Sequence, residues 1–343
     1  MKDVSTIGLD LAKRVFQVHG VDGSGQVVMT RRLGRGQVLT FFAKLKPCLV
    51  GLEACATAHH WAREIGKLGH TVRLMPPAYV KAYVRRGKND ATDAAAICEA
   101  VTRPHMRFVA VKSPGQQSQL MVHRTRELLI GQRTSLVNAL RAHLAEFGVV
   151  AAQGILGLKE LLAIVADETD ARVPRLARQV LAELAAQIRS CEAAIAGLDH
   201  KLKALHKASE PSRRLATIPG IAAVGAGAIV ATVGDAAQFK SGREFAAWIG
   251  LVPRQNSSGG KQRLGAISKQ GDRYLRRLLI SGAMAVVRHA RTRPDKHPWL
   301  MRLLARRPRK VVAVALANKM ARMAWALLAR GGTYRAPALA AAG

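Results

Sequence analysis

The amino-acid sequence predicts an α/β domain at the N terminus, followed by two predominantly helical segments. Short apolar runs alternate with amphipathic stretches up to about residue 114. Beyond that point, apolar residues recur with helical spacing. The length of 343 residues allows two or three domains. We therefore expect domains at 1–114, 115–210 and 211–330, and a disordered, alanine-rich tail at 331–343.

Charge indicates the class of partner. The chain carries 54 Lys and Arg against 22 Asp and Glu, a formal net charge of +32. Residues 251–343 alone hold 20 Lys and Arg and only two acids, and so supply 18 of the excess positive charges. Such an excess predicts a polyanionic partner. Nucleic acid fits better than a membrane, because no apolar run reaches the roughly 18 to 20 residues of a membrane span.

Cysteine usage and the first residues of the chain predict a cytoplasmic protein. The four cysteines, at positions 48, 55, 98 and 191, form neither a C-x-x-C pair nor a zinc-type spacing with histidine. We therefore expect reduced thiols. Residues 1–5 do not resemble a signal peptide.

The N-terminal third alternates strands and helices. Residues 6–10, 15–21 and 26–32 are predicted to form three closely connected strands, which implies an antiparallel meander. A helix at 37–46, a strand at 48–53, a helix at 58–68 and a strand at 71–75 follow, with further helices at 78–85 and from Asp90 onward. This order is that of a ribonuclease-H-like α/β domain.

Four acidic residues stand at the ends of these predicted elements. Asp10 ends the first strand and Glu53 ends the fourth, so parallel pairing of the two strands would bring the acids together. Asp90 and Asp93 lie one turn apart on a helix that could cover the same edge. Converging carboxylates repel one another, and hard divalent cations relieve that repulsion, as in two-metal phosphoryl-transfer sites. The alternative for Asp90 and Asp93 is helix capping.

Three segments around these acids resemble a known family. Residues 7–13 (IGLDLAK), 51–55 (GLEAC) and 88–94 (KNDATDA) resemble the N-terminal domain of the DEDD insertion-sequence transposases related to the Piv DNA invertase. That domain is similar to the RuvC Holliday-junction resolvase, and the resemblance spans nearly the whole chain. It implies that Asp10, Glu53, Asp90 and Asp93 bind two Mg²⁺ ions. We expect Lys88, within the third segment, to contact nucleic acid.

The middle segment is predicted to be helical, with a basic helix at about 116–146 and a break at 154–157. Its clearest feature is an apolar seam with alternating spacings of three and four residues over more than three heptads: Leu181, Leu184, Ile188, Cys191, Ile195, Leu198, Leu202 and Leu205. We interpret it as a coiled-coil seam between subunits. The alternative is a hairpin with the preceding helix of the same chain.

The last segment begins with a pattern that resembles a helix-hairpin-helix, at residues 215–221 and 224–230. Gly220 would let backbone N–H groups approach a phosphate. Ala222 stands where the pattern usually has a second glycine, so a purely structural helix pair is the alternative. Helices are expected at about 272–291, 298–305 and 311–329.

Residues 253–263 (PRQNSSGGKQR) form a Ser-Gly-rich loop bracketed by cations. Composition alone predicts a linker. The family resemblance implies instead that Ser258 is a nucleophile that takes a cut DNA strand as a covalent phosphoserine, with Ser257 as the neighbouring competitor. Cations of the loop and of the following helix are then expected to hold phosphates: Arg254, Lys261, Arg263, Lys269, Arg273, Arg276 and Arg277.

These observations predict a Mg²⁺-dependent DNA recombinase of a mobile element. The resemblance further implies a guide (bridge) RNA that pairs with donor and target DNA. It also implies a dimer or tetramer in which the serine of one subunit meets the acids of another, and a bacterial, nucleoid-associated location. One alternative is a RuvC-like endonuclease that hydrolyses DNA with metal-bound water and needs no serine. Another is a non-catalytic nucleic-acid-binding protein in which the acids are caps and core polar groups.

Overall fold

The computed structural model of the protein describes residues 3–84 and 90–336, with Asp90 described by its backbone alone. Lys88 and residues 337–343 of the predicted tail lie outside the described residues. The chain divides into two compact units, Met1–Pro114 and Gly115–Gly343.

The first unit is built on a five-stranded mixed sheet, in the order β3-β2-β1-β4-β5. Its strands are β1 (Thr6–Asp10), β2 (Val15–Val21), β3 (Val27–Gly34), β4 (Leu49–Glu53) and β5 (Thr71–Met75). Strands β1 to β3 form an antiparallel meander, whereas β4 pairs in parallel with both β1 and β5. The helices are α1 (Val38–Ala43), α2 (Ala58–Lys67), α3 (Pro77–Val80) and α4 (Asp90–Val101). The predicted mixed α/β domain is thereby confirmed.

Helix α4 packs directly on the central strands because two glycines leave room for it. A Cβ atom added to Gly8 in β1 would lie 2.1 Å from the carbonyl oxygen of Ala94. One added to Gly51 in β4 would lie 2.8 Å from Cβ of Val101. The Cys98 thiol donates to the Thr6 carbonyl, so α4 runs antiparallel to β1. The first turn of α4 therefore lies at the carboxyl end of β1.

The second unit is mostly helical, with one small two-stranded sheet. Its elements are α5 (Pro114–Ala145), α6 (Ile155–Ala166), α7 (Arg175–Ala208), α8 (Glu210–Leu215), α9 (Ala223–Val233), α10 (Gly242–Ile249), β6 (Pro253–Gln255), β7 (Leu264–Ile267), α11 (Arg273–Ala290), α12 (Pro298–Leu304) and α13 (Arg309–Arg330).

The apolar seam of α7 is covered within the chain, which corrects the prediction of a seam between subunits. Five of its eight residues are buried, and Leu181 and Ile188 share a core with residues of α5 and α6. Farther along, α7 contacts α9, and Asp199 forms an ion pair with Arg126 of α5 at 2.5 Å. Heptad spacing predicts an apolar helix face but does not identify the surface that packs against it. Here that surface belongs to neighbouring helices of the same chain.

Helix α13 lies in the main core of the second unit. It is the one helix in the described ranges that is long and apolar enough to cross a membrane, with a mean hydropathy of 1.4. Lys319 and Arg322 interrupt its apolar residues, so no uninterrupted apolar run of membrane-spanning length is present here. Its buried face packs against α10 and α11, so we attribute its composition to the core: Val312, Ala313, Leu316, Ala317, Met320, Ala321 and Ala324.

The start of the predicted tail is held against this core. The backbone N–H of Tyr334 donates to Oγ1 of Thr217 at 2.9 Å, and the Tyr334 ring packs on the core cluster. Residues 331–336 are therefore irregular but anchored, which corrects the prediction that disorder begins at residue 331.

Candidate functional site

The carboxyl ends of β1 and β4 bring two of the predicted acids together. The strands are parallel, and Leu9 is paired with Leu52 in their register. Asp10 and Glu53 follow directly and end their strands side by side. Both residues are half-buried.

Helix α4 adds acidic residues at the same edge. Its backbone begins at Asp90, and Asp93 lies one turn further along. Burial and the nearby charges of Asp10 and Asp93 raise the pKa of the Glu53 carboxyl. No hydrogen bond or ion pair from a described residue reaches the Glu53 carboxylate. We call Asp10, Glu53 and Asp93 the acidic cluster.

The negative field of this cluster extends to a neighbouring thiol. Desolvation, and the charges of Glu53 and Asp10, raise the pKa of Cys55. A raised thiol pKa leaves this cysteine protonated near neutral pH, and a protonated thiol is a poor nucleophile and metal ligand.

The acidic cluster suits a hard cation by its donor set. Its side chains offer only carboxylate oxygens, which Mg²⁺ prefers, and burial together with the charges of Asp10 and Asp93 raises the pKa of Glu53. Among the described side chains, no three potential ligands converge closely enough to form a ready metal cluster. The side chain of Asp90, the fourth predicted ligand, lies outside the described part of the chain.

The predicted serine loop is an ordered hairpin in the second unit. Strands β6 and β7 pair antiparallel, and the Lys261 N–H donates to the Ser258 carbonyl at 3.1 Å across the tip. Gly259 and Gly260 have φ values of 55° and 74°, as the central positions of a type I′ turn require. The Ser-Gly composition therefore marks a tight turn, which corrects the linker that composition alone predicts.

The two serines of this hairpin differ in their hydrogen bonding. Oγ of Ser257 accepts the backbone N–H of Arg263 at 3.1 Å, so this hydroxyl is engaged in the hairpin. The Ser258 hydroxyl is exposed and forms no hydrogen bond within the described part of the chain. Ser258 is therefore the more available of the two.

Exposed cations surround the hairpin. Arg254, Lys261 and Arg263 lie on the hairpin itself, and Lys269 and Arg273 follow where it leads into α11. The Arg254 guanidinium donates to the Ser268 carbonyl at 3.5 Å. Strongly cationic surroundings of this kind favour phosphate groups.

Three residues predicted to bind nucleic acid have close contacts within the protein. Arg276 is only 9% exposed and donates to the carbonyls of Ile249 at 2.7 Å and Gln270 at 2.8 Å, so its guanidinium joins α11 to the end of α10. This burial corrects the prediction for Arg276. Arg277 forms an ion pair with Glu127 at 2.6 Å, its side chain is 51% exposed, and its contact with nucleic acid stays a prediction.

Gly220, the third, lies close to neighbouring parts of the protein. A Cβ added there would lie 2.8 Å from Cε of Met320 and 3.0 Å from the Gly282 carbonyl oxygen. Its φ of 91° also favours glycine. The close approach of this loop to α11 is one reason for the glycine, and the phosphate contact of its backbone stays a prediction.

Sequence reasoning missed Gly8 and Gly51, which seat α4 beside the acids. A signal for them exists in the repeated pattern Gly-Leu-acid, at residues 8–10 and again at 51–53. The acidic cluster lies in the first unit and the serine hairpin in the second.

Two family models match the chain. A model described as a transposase of the DEDD, IS110 type matches residues 7–148. A second, described as the transposase IS116/IS110/IS902 family, matches residues 212–298.

Curated relatives match over almost their full length. A probable family 20 transposase of Pseudomonas aeruginosa is 52% identical over 97% of this chain and 99% of its own. The transposase for insertion sequence element IS1111A of Coxiella burnetii is 43% identical over 98% of this chain and 92% of its own. The transposase for IS1328 of Yersinia enterocolitica is 38% identical, over 97% and 99%.

Proposed function

Because the chain belongs to the IS110 family of insertion-sequence transposases, we propose that it cuts and rejoins DNA with two cooperating parts. The first is the acidic cluster with Asp90, on a ribonuclease-H-like, RuvC-related domain. The second is Ser258. The observation that carries the proposal is the pairing of Asp10 and Glu53 at the ends of parallel strands, with Asp93 close enough to raise the Glu53 pKa.

The carboxylates at this edge are proposed to hold Mg²⁺. When bound, the metal ions neutralise charge on the phosphate and activate the attacking oxygen. The protein supplies oxygen donors from two strand ends and the first turn of α4. Gly8 and Gly51 keep that helix close enough for its acids to reach the same edge.

Ser258 is proposed to be the nucleophile. Its Oγ forms a bond to phosphorus while the bond from phosphorus to one deoxyribose oxygen breaks. The serine proton ends on the released DNA hydroxyl. The phosphoserine retains the energy of the phosphodiester, so a DNA hydroxyl reseals a strand by the reverse reaction without ATP. The exposed cations of the hairpin hold the neighbouring phosphates.

A guide RNA encoded by the element is proposed to select the DNA. The net charge of +32 and the aromatic content of 4% favour backbone contacts over base reading by the protein. Assembly as a dimer or tetramer, with the serine of one subunit serving the acids of another, is part of the same proposal. It rests on family resemblance, because the seam of α7 is covered within the chain.

A denaturing gel tests this function. The protein is incubated with the element RNA, Mg²⁺ and end-labelled DNA that carries the element junction. We expect a protein–DNA adduct that Ser258→Ala and Asp10→Ala both abolish and that Ser257→Ala retains. Full cleavage without an adduct, unaffected by Ser258→Ala, would establish hydrolysis instead. Unchanged recombination by folded Asp10→Ala would exclude the catalytic role of the cluster.

A further inference from the structure

The first unit carries a surface groove with two of the four tyrosines of the chain. One hollow, of about 570 Å³, is formed by α3, the turn after it and the segment after α4, and its walls include Tyr79, Tyr83, Pro104, Met106 and Arg107. A second hollow, of about 620 Å³, lies between α4 and strands β2 and β3. Tyr83 and Arg103 line both hollows, so the hollows adjoin at these two side chains, and we call the two hollows together the groove.

The first hollow combines an aromatic surface with a cationic rim. Tyr79 is 45% exposed, although large aromatic side chains gain most from burial. Tyr83 and Met106 are half-buried beneath the hollow, and Arg103, His105 and Arg107 are exposed around it. An accessible aromatic ring beside guanidinium groups suits a planar base with an attached phosphate.

The second hollow has space for the remaining nucleotides of a nucleic-acid strand. Along it, α4 presents small side chains, namely Ala91, Thr92 and Ala95, which leave room beside the helix. The acid in its lining, Glu99, forms an ion pair with Arg103. This ion pair contributes no net charge, so the net positive charge of the groove lining comes from Arg107 in the first hollow.

We propose that this groove binds a single nucleic-acid strand with one unpaired base stacked on Tyr79. The low aromatic content excludes a long stacking platform but not one stacking position. The groove runs beside α4, whose first turn carries Asp93, so the strand lies along the helix that carries part of the acidic cluster. This inference rests on nucleic-acid binding in the proposed function and needs neither the metal nor the serine step.

Binding of short labelled oligonucleotides, measured by fluorescence anisotropy without divalent metal, tests the groove. Stacking of a base on an aromatic ring is worth about 1–3 kcal/mol, so Tyr79→Ala should weaken single-strand binding about 5- to 150-fold. Duplex binding should not change. Tyr79→Phe keeps the ring and should bind within about twofold of wild type. Leu39→Ala, at an exposed apolar position outside the groove, is the matched control.

A second variant at another residue keeps the test valid if Tyr79→Ala fails to fold. Circular dichroism checks the folding of each protein. Ala82→Glu adds a negative charge at an exposed position of the hollow and should cause the same selective loss. The same measurements are made with RNA and with DNA oligonucleotides. The nucleic acid that loses more affinity in the variants is the natural ligand, and equal losses of affinity mean that the groove accepts either. Unchanged single-strand binding in both folded variants, or equal loss of single-strand and duplex binding, would overturn the inference. Absence of a Ser258 adduct would leave this result untouched.

Discussion

At the scale of single residues, Glu53 links the charge of the acidic cluster to the stability of the fold. Burial, Asp10 and Asp93 raise its pKa, so this carboxyl gives up its proton less readily in the folded protein than in the unfolded chain. The stability linked to this preference is fully present below the unfolded-state pKa, near 4.5, and is lost as pH rises through the higher folded-state pKa. At neutral pH the metal-free cluster therefore destabilises the protein, and a cation should reverse this.

We expect Glu53→Gln to raise the melting temperature of the metal-free protein at neutral pH, since the amide is uncharged. Mg²⁺ at about 100 times its Kd should stabilise the wild type by about 2.7 kcal/mol and the variant by much less. Thermal melts with and without Mg²⁺ measure both effects. Glu64→Gln is the control, because this carboxyl lies outside the acidic cluster and its hydrogen bond with Lys67 lowers its pKa. An equal response to Mg²⁺ in wild type and Glu53→Gln would contradict metal binding at Glu53.

Two arginines on the first turn of α11 have different expected roles. Arg276 stabilises the fold, whereas the exposed Arg273 is expected to bind DNA. Arg276→Gln should cost about 2–4 kcal/mol of unfolding free energy, because it breaks charged hydrogen bonds to two carbonyls. The exposed Arg273→Gln should change stability by less than about 0.5 kcal/mol. If Arg273 contacts a phosphate, its replacement should reduce the slope of log K for DNA binding against log salt concentration by about 0.9. Urea unfolding and salt titrations measure these effects, and a stable Arg276→Gln would refute the structural assignment.

At the scale of elements, the seating of α4 on β1 and β4 controls where its acids lie. We expect Gly8→Ala to destabilise the protein by about 2–3 kcal/mol, because the new methyl group meets the backbone of Ala94. Strand cleavage should fall even where the variant is folded, since Asp93 moves away from Asp10. Chemical unfolding and the gel assay measure the two effects.

The control for this prediction is Gly66→Ala in α2. A Cβ at Gly66 meets no atom within 4 Å, and alanine favours a helix, so this change should stabilise by about 0.5–1 kcal/mol. Equal behaviour of the two variants would mean that close packing at Gly8 does not position α4.

The strands and helices of the first unit could be predicted because the pattern of apolar residues in each strand reflects how deeply it is buried. Strand β1 is buried along nearly its whole length, as expected of a central strand with parallel pairing, and its apolar run shows it. The positions where β1 and β4 end could also be predicted, because the apolar run of each strand stops at an acidic residue. Hence the edge that joins Asp10 and Glu53 could be predicted.

Other features depend on partners that a linear pattern does not identify. The spacing in α7 defines an apolar face, but α5, α6 and α9 decide what covers it. Arg276 was assigned to a cationic surface, although it directly follows the buried Leu275 and lies three residues before the buried Leu279. That spacing indicates an inward position. In the serine hairpin, paired glycines marked a type I′ turn that composition alone did not distinguish from a linker.

At the scale of the whole molecule, the proposed reaction needs groups from both units. The acids lie within Met1–Pro114 and the serine within Gly115–Gly343. The two family models also match separate regions, one from residue 7 to 148, which contains the acids, and the other from 212 to 298, which contains Ser258. In the proposed reaction, these two parts of the chain act on one phosphate.

Mass spectrometry of the protein–DNA adduct tests this account most directly. After nuclease and protease digestion, we predict a nucleotide mass attached through phosphate to Ser258, in the peptide that contains residues 255–261. The same mass should be absent from Asp10→Ala, which retains Ser258 but lacks one acid. Attachment at another residue, or an equal amount of phosphoserine in folded Asp10→Ala, would contradict the cooperation of Ser258 with the acidic cluster.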